Sequence, residues 1–165
     1  MDESQPLAIV DIDGVVADVR HRLKHIERGR KNWTAFFAAA ADDAIHQEGV
    51  AIVETLRAGH EVVFVTGRPE HLRTTTETWL QAAGVGGHRL LMRGDQDRRP
   101  APQLKREIIA RLARARTIGI VVDDDPKVLA LLSSAGYPTF AASWERRSTD
   151  ERAALESAQD RQGLT

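Results

Sequence analysis

Leu7-Ala8-Ile9-Val10-Asp11-Ile12-Asp13-Gly14 joins an uninterrupted apolar run to two carboxylates and a glycine. An apolar run that short, bounded by a glycine turn, predicts a buried strand. The two aspartates then stand at its carboxyl end, two residues apart. They repel each other, and ionised groups beside a buried strand are costly unless a cation or hydrogen bonds compensate. A magnesium ion together with a phosphoryl group resolves that conflict.

The rest of the chain is built to bury such a strand. It has 165 residues, 42% hydrophobic and 28% charged, which predicts a globular chain with a sizeable core. A net charge of −1 argues against a uniformly basic nucleic-acid binder and leaves room for a local basic patch. The absence of cysteine excludes disulfides, thiolate chemistry and cysteine-held zinc or iron–sulfur sites. The start, Met1 to Pro6, is polar and acidic, unlike a secretory signal, and no apolar run is long enough to span a bilayer. The expectation is a cytoplasmic protein without membrane contact.

Further apolar runs at Val62–Val65, Leu90–Met92, Ile118–Val122 and, more weakly, Thr139–Ala142 predict four more strands. Helices are expected between them. Gln47–Ala58 is stopped by Gly59, and Pro69–Ala83 opens on proline and ends at Gly84. Pro102–Ala115 has Leu104, Ile108, Ile109 and Leu112 at helical spacing, and Pro126–Ala135 is followed by Gly136. Alternating strands and helices predict an α/β fold, a parallel sheet of about five strands with helices on both faces. Ligands in such sheets bind beyond the carboxyl ends of the strands.

Residues 15–46 break this rhythm and are too long for a simple connection. They predict a small helical cap over the active-site end, in which Trp33, Phe36 and Phe37 supply packing bulk. The tail after Trp144 is polar. Ser148-Thr149-Asp150-Glu151 matches a capping box, predicting a terminal helix over Thr149–Gln159.

Four clusters carry chemistry. Asp11 and Asp13 offer a carboxylate able to attack phosphorus and a second able to move the proton. Thr66-Gly67-Arg68-Pro69 follows the second strand: the hydroxyl can bond a phosphoryl oxygen, the turn into a helix favours anions, and Arg68 can grip a phosphate. Lys105 near a helix start can neutralise charge. Asp123-Asp124-Asp125 follows Ile118–Val122 and suits a hard cation, with Asp125 left to cap the next helix. Each taken alone has an ordinary structural explanation. Their order, at or just after successive strand ends, sets all four at one rim of one sheet. Arg20, Arg22, Lys24, Arg28, Arg30 and Lys31 in the cap, with Arg93, Arg98 and Arg99 at the same rim, predict a positive surface around the mouth. His21 and His25 have no metal-ligand spacing and are expected at the surface.

Asp11-Ile12-Asp13-Gly14, Thr66, Lys105 and Asp123-Asp124 resemble the four motifs of the haloacid dehalogenase superfamily of aspartyl-phosphate phosphatases. The resemblance implies a Rossmann-like sheet in a phosphatase domain over residues 1–147, with the cap at 15–46 and a helical tail at 148–165. It implies Asp11 as nucleophile, Asp13 as acid and base, and Thr66 and Lys105 as further catalytic groups. It also implies Mg2+ held by Asp11, the Asp13 backbone carbonyl, Asp123 and Asp124. Within the superfamily, the segments 32–37, 66–68, 91–95, 105–107 and 122–126 look most like the phosphatase domain of phage-type polynucleotide kinase-phosphatases. By that likeness Arg22, Gly67 and Arg68 bind substrate, and the substrate is a phosphorylated nucleic-acid end or a nucleotide, losing a 3′-phosphate. One departure is Ala101, where that family commonly carries an aspartate four residues before the lysine. No phosphate loop of the Gly-x-x-x-x-Gly-Lys-Ser/Thr type occurs, so a kinase, or a ligase, is expected to be a separate polypeptide. The alternatives are a phosphatase of small esters such as mononucleotides or sugar phosphates, and a receiver-type phospho-accepting signalling domain. Asp13 separates the latter, because it turns the phospho-enzyme over.

Overall fold

The structure, a computed structural model, describes residues 4–157. In chain order it runs β1 (Leu7–Val10), β2 (Ala17–Asp18), α1 (Arg20–Glu27), α2 (Trp33–Ala38), β3 (Ala44–Ile45), α3 (Gln47–Leu56) and β4 (Glu61–Pro69). It continues through α4 (Arg73–Ala82), β5 (Arg89–Arg93), α5 (Ala101–Ala113), β6 (Ile118–Asp123), α6 (Pro126–Ser134), β7 (Thr139–Ala141) and α7 (Thr149–Ser157). Five strands form one parallel sheet in the order β5-β4-β1-β6-β7. This is the Rossmann-like sheet expected from the sequence.

β1 is apolar at every position because each face of it belongs to a different core. Ala8 and Val10 pack with Val62, Phe64, Val53, Trp79 and Leu80. Leu7 and Ile9 pack with Val63, Val65, Ile109, Val121, Val128 and Leu132. Side chains alternate along a strand, so one short run serves both layers. Its place at the centre of the sheet sets Asp11 and Asp13 at the middle of the rim.

The insertion between β1 and α3 is helical, as expected, but is closed at its base by a two-stranded antiparallel ribbon. In it Ala17 pairs with Ile45 and Asp18 with Ala44. Two-residue strands are too short to carry an alternating pattern, so the ribbon is invisible in the sequence. Phe36 and Phe37 are buried. Their rings meet edge-on at 5.4 Å, and Trp33 adds an edge contact to Phe36 at 5.8 Å. The aromatics are packing, as expected. α3 enters hard against the turn after β1: an ideal Cβ on Gly49 would collide with the Val15 carbonyl. Glycine there lets the helix close on the motif-bearing turn.

One helix start differs from expectation. β4 runs on through Pro69, which pairs with Arg93. A 3-10 turn over Glu70–Leu72 follows, and α4 begins only at Arg73. Proline fixes φ near −65° but leaves ψ free; Pro69 has φ −69 and ψ 150, an extended residue rather than a first helical one. At the other end the capping box forms as written: the Ser148 amide donates to Glu151 Oε2 at 2.6 Å and the Glu151 amide to Ser148 Oγ at 3.2 Å. α7 packs on α1 of the cap. The expected end of this helix at Gln159, and the rest of the tail, lie outside the described residues. Among the described residues no helix is long and apolar enough to cross a membrane.

Candidate active site

The carboxyl ends of β1 and β6 bring Asp11, Asp123 and Asp124 together, with oxygens all within 4.8 Å of one another. Parallel pairing in register, Val10 opposite Val122, makes this unavoidable. Gly14 takes φ 78 to turn the chain away, and a Cβ on it would strike Asp124. Lys105 reaches in from the first turns of α5, its Nζ 3.0 Å from Asp11 Oδ1 and 2.6 Å from Asp123 Oδ2. Asp123 Oδ1 accepts the Asp125 amide at 2.9 Å. Asp125 accepts the Lys127 amide at 2.8 Å as the N-cap of α6, the simpler role expected of it.

Three buried carboxylates against one ammonium leave an excess of negative charge. Burial, opposed by Lys105 and reinforced by Asp123, Asp124 and Asp13, pushes the Asp11 carboxyl well above the usual range. Burial likewise raises Asp124 to about 7, against the pull of Arg147. Asp11 and Asp123 drive Lys105 upward in spite of its burial, so it stays charged. A hard divalent cation of the Mg2+ type fits this all-oxygen set and would relieve the repulsion.

Asp13 turns away from that cluster. Its Oδ1 accepts from Arg68 Nε at 2.9 Å, Arg68 Nη2 at 2.6 Å and Arg22 Nη2 at 3.1 Å. Burial works against the charged carboxylate, but Arg68 and Arg22 outweigh it and hold Asp13 well below the usual range. Both arginines also grip Asp43: Arg22 through Nε at 2.9 Å and Nη2 at 3.1 Å, Arg68 through Nη2 at 2.8 Å. Arg22 lies over the Phe36 ring at 4.5 Å. The structure thus brings Arg22 and Arg68 to the rim, but as side chains only 0% and 1% exposed and tied to two aspartates. Thr66 is buried beside them, its Oγ1 accepting the Arg68 amide at 3.2 Å, and Gly67 offers its carbonyl to Arg93 Nε at 3.0 Å.

Part of the expected positive mouth is neutralised by such pairings. Arg93 is buried and donates to the Gly67 and Arg99 carbonyls, fastening β5 to the end of β4 and to the loop before α5. Arg99 is held by Asp97 and Glu107, and Arg20 by Asp18 at 2.5 Å. His21, expected at the surface, bonds Asp43 at 2.8 Å with its ring part-exposed.

Asp43 and Arg147 are site residues that sequence reading missed. The signal for Asp43 was a lone acidic pair, Asp42-Asp43, in an alanine-rich stretch, and it means little until two buried arginines call for a counter-charge. Arg147 Nη2 lies 2.9 Å from Asp124 Oδ2 and also pairs with Glu145. A second group, Asp18, His46 and Glu145, gathers at the base of the cap. Asp18 is taken by Arg20, and Glu145 by His46 at 3.1 Å, the Val19 amide at 3.0 Å and Arg147. That group is an ion-pair network neutralised from within the chain.

A parallel sheet with carboxylates, hydroxyl and lysine at one rim defines a phosphatase of the haloacid dehalogenase superfamily. The family model "Polynucleotide kinase PNKP phosphatase domain" matches residues 5–144, and the chain belongs to that family. No curated protein matches it. Among solved structures, a chain of the Pnkp1/Rnl/Hen1 RNA repair complex is similar with TM-score 0.69 at 22% identity, over 86% of this chain and 43% of that one. A second structure of the Pnkp1/Rnl/Hen1 complex gives TM-score 0.69 at 23% identity, over 85% and 47%. A haloacid dehalogenase-like hydrolase from Streptococcus pneumoniae gives 0.62 at 10% identity, over 96% and 92%. At these identities the likeness shows the fold. The chain spans less than half the length of the two repair-complex chains.

Proposed function

We propose that this chain is a Mg2+-dependent phosphomonoesterase that removes a 3′-phosphate from polynucleotide ends or nucleotides through an aspartyl-phosphate on Asp11. The observation that carries the chemistry is the Asp11–Lys105–Asp123 bridge beside Asp124. It supports a nucleophile ion-paired with Lys105 within a cation-binding carboxylate set. Asp11, Asp123, Asp124 and the Asp13 backbone carbonyl hold the ion, which when bound offsets charge on the phosphoryl oxygens.

An Asp11 oxygen attacks phosphorus and the bond to the ester oxygen breaks. Asp13 gives that oxygen its proton. Asp13 then takes a proton from water as the water attacks, the Asp11–phosphorus bond breaks and inorganic phosphate leaves. Thr66 Oγ1 and the Gly67 amide bind phosphoryl oxygens, and Lys105 balances the charge gathering between Asp11 and phosphate. Asp13 cannot donate while Arg22 and Arg68 keep it ionised. An anionic substrate drawing those guanidinium groups to itself would free Asp13 to carry a proton, which makes Arg22 and Arg68 substrate-binding groups and timers at once.

The polynucleotide assignment is supported by the family match over residues 5–144. A kinase or ligase partner is supported by the likeness to a chain of an RNA repair complex. The test is Mg2+-dependent phosphate release from 3′- and 5′-phosphorylated oligonucleotides, mononucleotides and sugar phosphates. The expected order puts 3′-phosphorylated ends first, and Asp11→Asn should cut turnover by about a thousandfold or more with the fold intact. Preference for a sugar phosphate would assign a small-ester phosphatase instead. A long-lived phospho-protein would point to a receiver-type role.

A further inference from the structure

Each carboxylate of the cation cluster has an anchor. Lys105 holds Asp11 and Asp123, one oxygen of each, and the Asp125 amide holds Asp123 as well. For Asp124 the described contact is Arg147, 2.9 Å from Oδ2. Arg147 lies outside the region that the family model matches, which ends at residue 144. It sits on the segment between β7 and α7, and its Nη2 lies against Gly14 closely enough that a Cβ there would strike it. The lysine-type anchoring of two aspartates is thus repeated for the third by a residue from the far end of the chain.

The anchor is itself held. Arg147 pairs with Glu145, whose side chain is only 1% exposed and accepts from the Val19 amide and His46 at the base of the cap. Trp144 Nε1 donates to the Val15 carbonyl at 2.8 Å, and Arg20 Nη1 to the Arg146 carbonyl at 3.1 Å. Beyond them α7 rests on α1, with Arg28 and Asp150 paired at 3.5 Å. These contacts fix the backbone on both sides of Arg147.

We propose that Arg147 is a positioning residue of the metal centre: it holds one oxygen of Asp124 so that the other faces the point shared with Asp11 and Asp123. The segment 144–157 thereby completes a site begun by residues 11–14. This rests on the reading of Asp11, Asp123 and Asp124 as the metal cluster. Partners that orient ligands in this way typically set metal affinity by ten- to a hundredfold.

The test is calorimetric titration of the full chain with Mg2+ alone, for the unaltered protein, Arg147→Gln and Arg147→Lys. Arg147→Gln should weaken Mg2+ binding about tenfold or more, and Arg147→Lys should restore part of the loss. In turnover, the Mg2+ concentration for half-maximal rate should rise while the rate at saturating Mg2+ changes little. If Arg147→Gln does not fold because Glu145 is left buried without its arginine, Glu145→Gln with Arg147→Gln removes both charges. That pair must still lose Mg2+ affinity. Unchanged or tighter Mg2+ binding in a folded variant overturns the proposal, the latter making Arg147 a competing counter-ion. Failure of the unaltered protein to bind Mg2+ overturns the metal cluster itself.

Discussion

The pair Arg22 and Arg68 shows how one residue can be required by the fold and by the chemistry. Both are buried against Asp13 and Asp43. Arg68→Ala leaves two buried carboxylates short of a cation, and removing one member of a buried pair typically costs 3–5 kcal/mol. Denaturant unfolding should show a loss of about that size, so loss of activity in this variant alone does not identify a substrate contact. Asp18 gives a cleaner charge effect. Arg20 hydrogen-bonds its carboxylate, against partial burial, and holds it at about 2, below the ordinary 3.8. A carboxyl whose proton affinity falls on folding stabilises the native state above its unfolded value, and that stability is lost as pH falls through its folded one. Asp18→Asn should therefore cost about 1 kcal/mol near pH 7, after allowance for solvent screening. The cost should fade between pH 4 and 2, as followed by melting temperature against pH. Asp11, Thr66 and Asp123 were legible because each stands at or near a strand end, where sequence order alone sets the neighbours, and Lys105 because it falls in the first turns of the helix that follows β5. Asp43 and Arg147 were not, because their neighbours are set by how the cap and the final segment fold back.

Among the elements, the helices with apolar stripes and glycine stops were readable, and the irregular ones were not. α3, α5 and α6 follow their patterns to within a residue or two. α4 starts late because Pro69 stays in the sheet opposite Arg93, a tertiary demand that overrides the usual proline signal. The β2–β3 ribbon had no pattern to find. α7 was predicted from four residues, Ser148 to Glu151, and the box they form can be tested alone. Ser148→Ala should cost about 1 kcal/mol of local stability. Hydrogen exchange should show faster exchange of the amides over 149–157, with the amides of β1, β4 and β6 unchanged. Equal acceleration in the central strands would mean that α7 and the sheet open as one unit.

At the scale of the molecule, the rim is a store of unfavourable charge held in place by two cores. Asp11, Asp123 and Asp124 are forced together by strand register rather than by mutual attraction. Any cation that binds this cluster only in the folded chain adds stability by mass action, about 2.7 kcal/mol at a hundredfold excess over its dissociation constant. For a chain of this size that corresponds to a rise in melting temperature of roughly 5–10 °C. Adding Mg2+ and then removing it with a chelator should raise and reverse the melting temperature in a scanning experiment. No shift in either direction would argue against the cluster as a cation site. The sheet itself was legible because β1 and β6 are apolar on both faces, which only a centre-of-sheet position explains.

That central position has a consequence for how the chain is made. β1 pairs through Leu7 with Glu61 on one side and Ile118 on the other. At ribosomal speeds of 5–20 residues per second, β4 follows β1 by several seconds, and β6 by roughly ten. During that interval one edge of an apolar strand, and at first both, has no partner. A nascent chain stalled before Ile118 would present that edge to whatever is nearby. This protein's most vulnerable moment therefore falls during its synthesis, when Leu7–Val10 must be kept from pairing with strands of other chains.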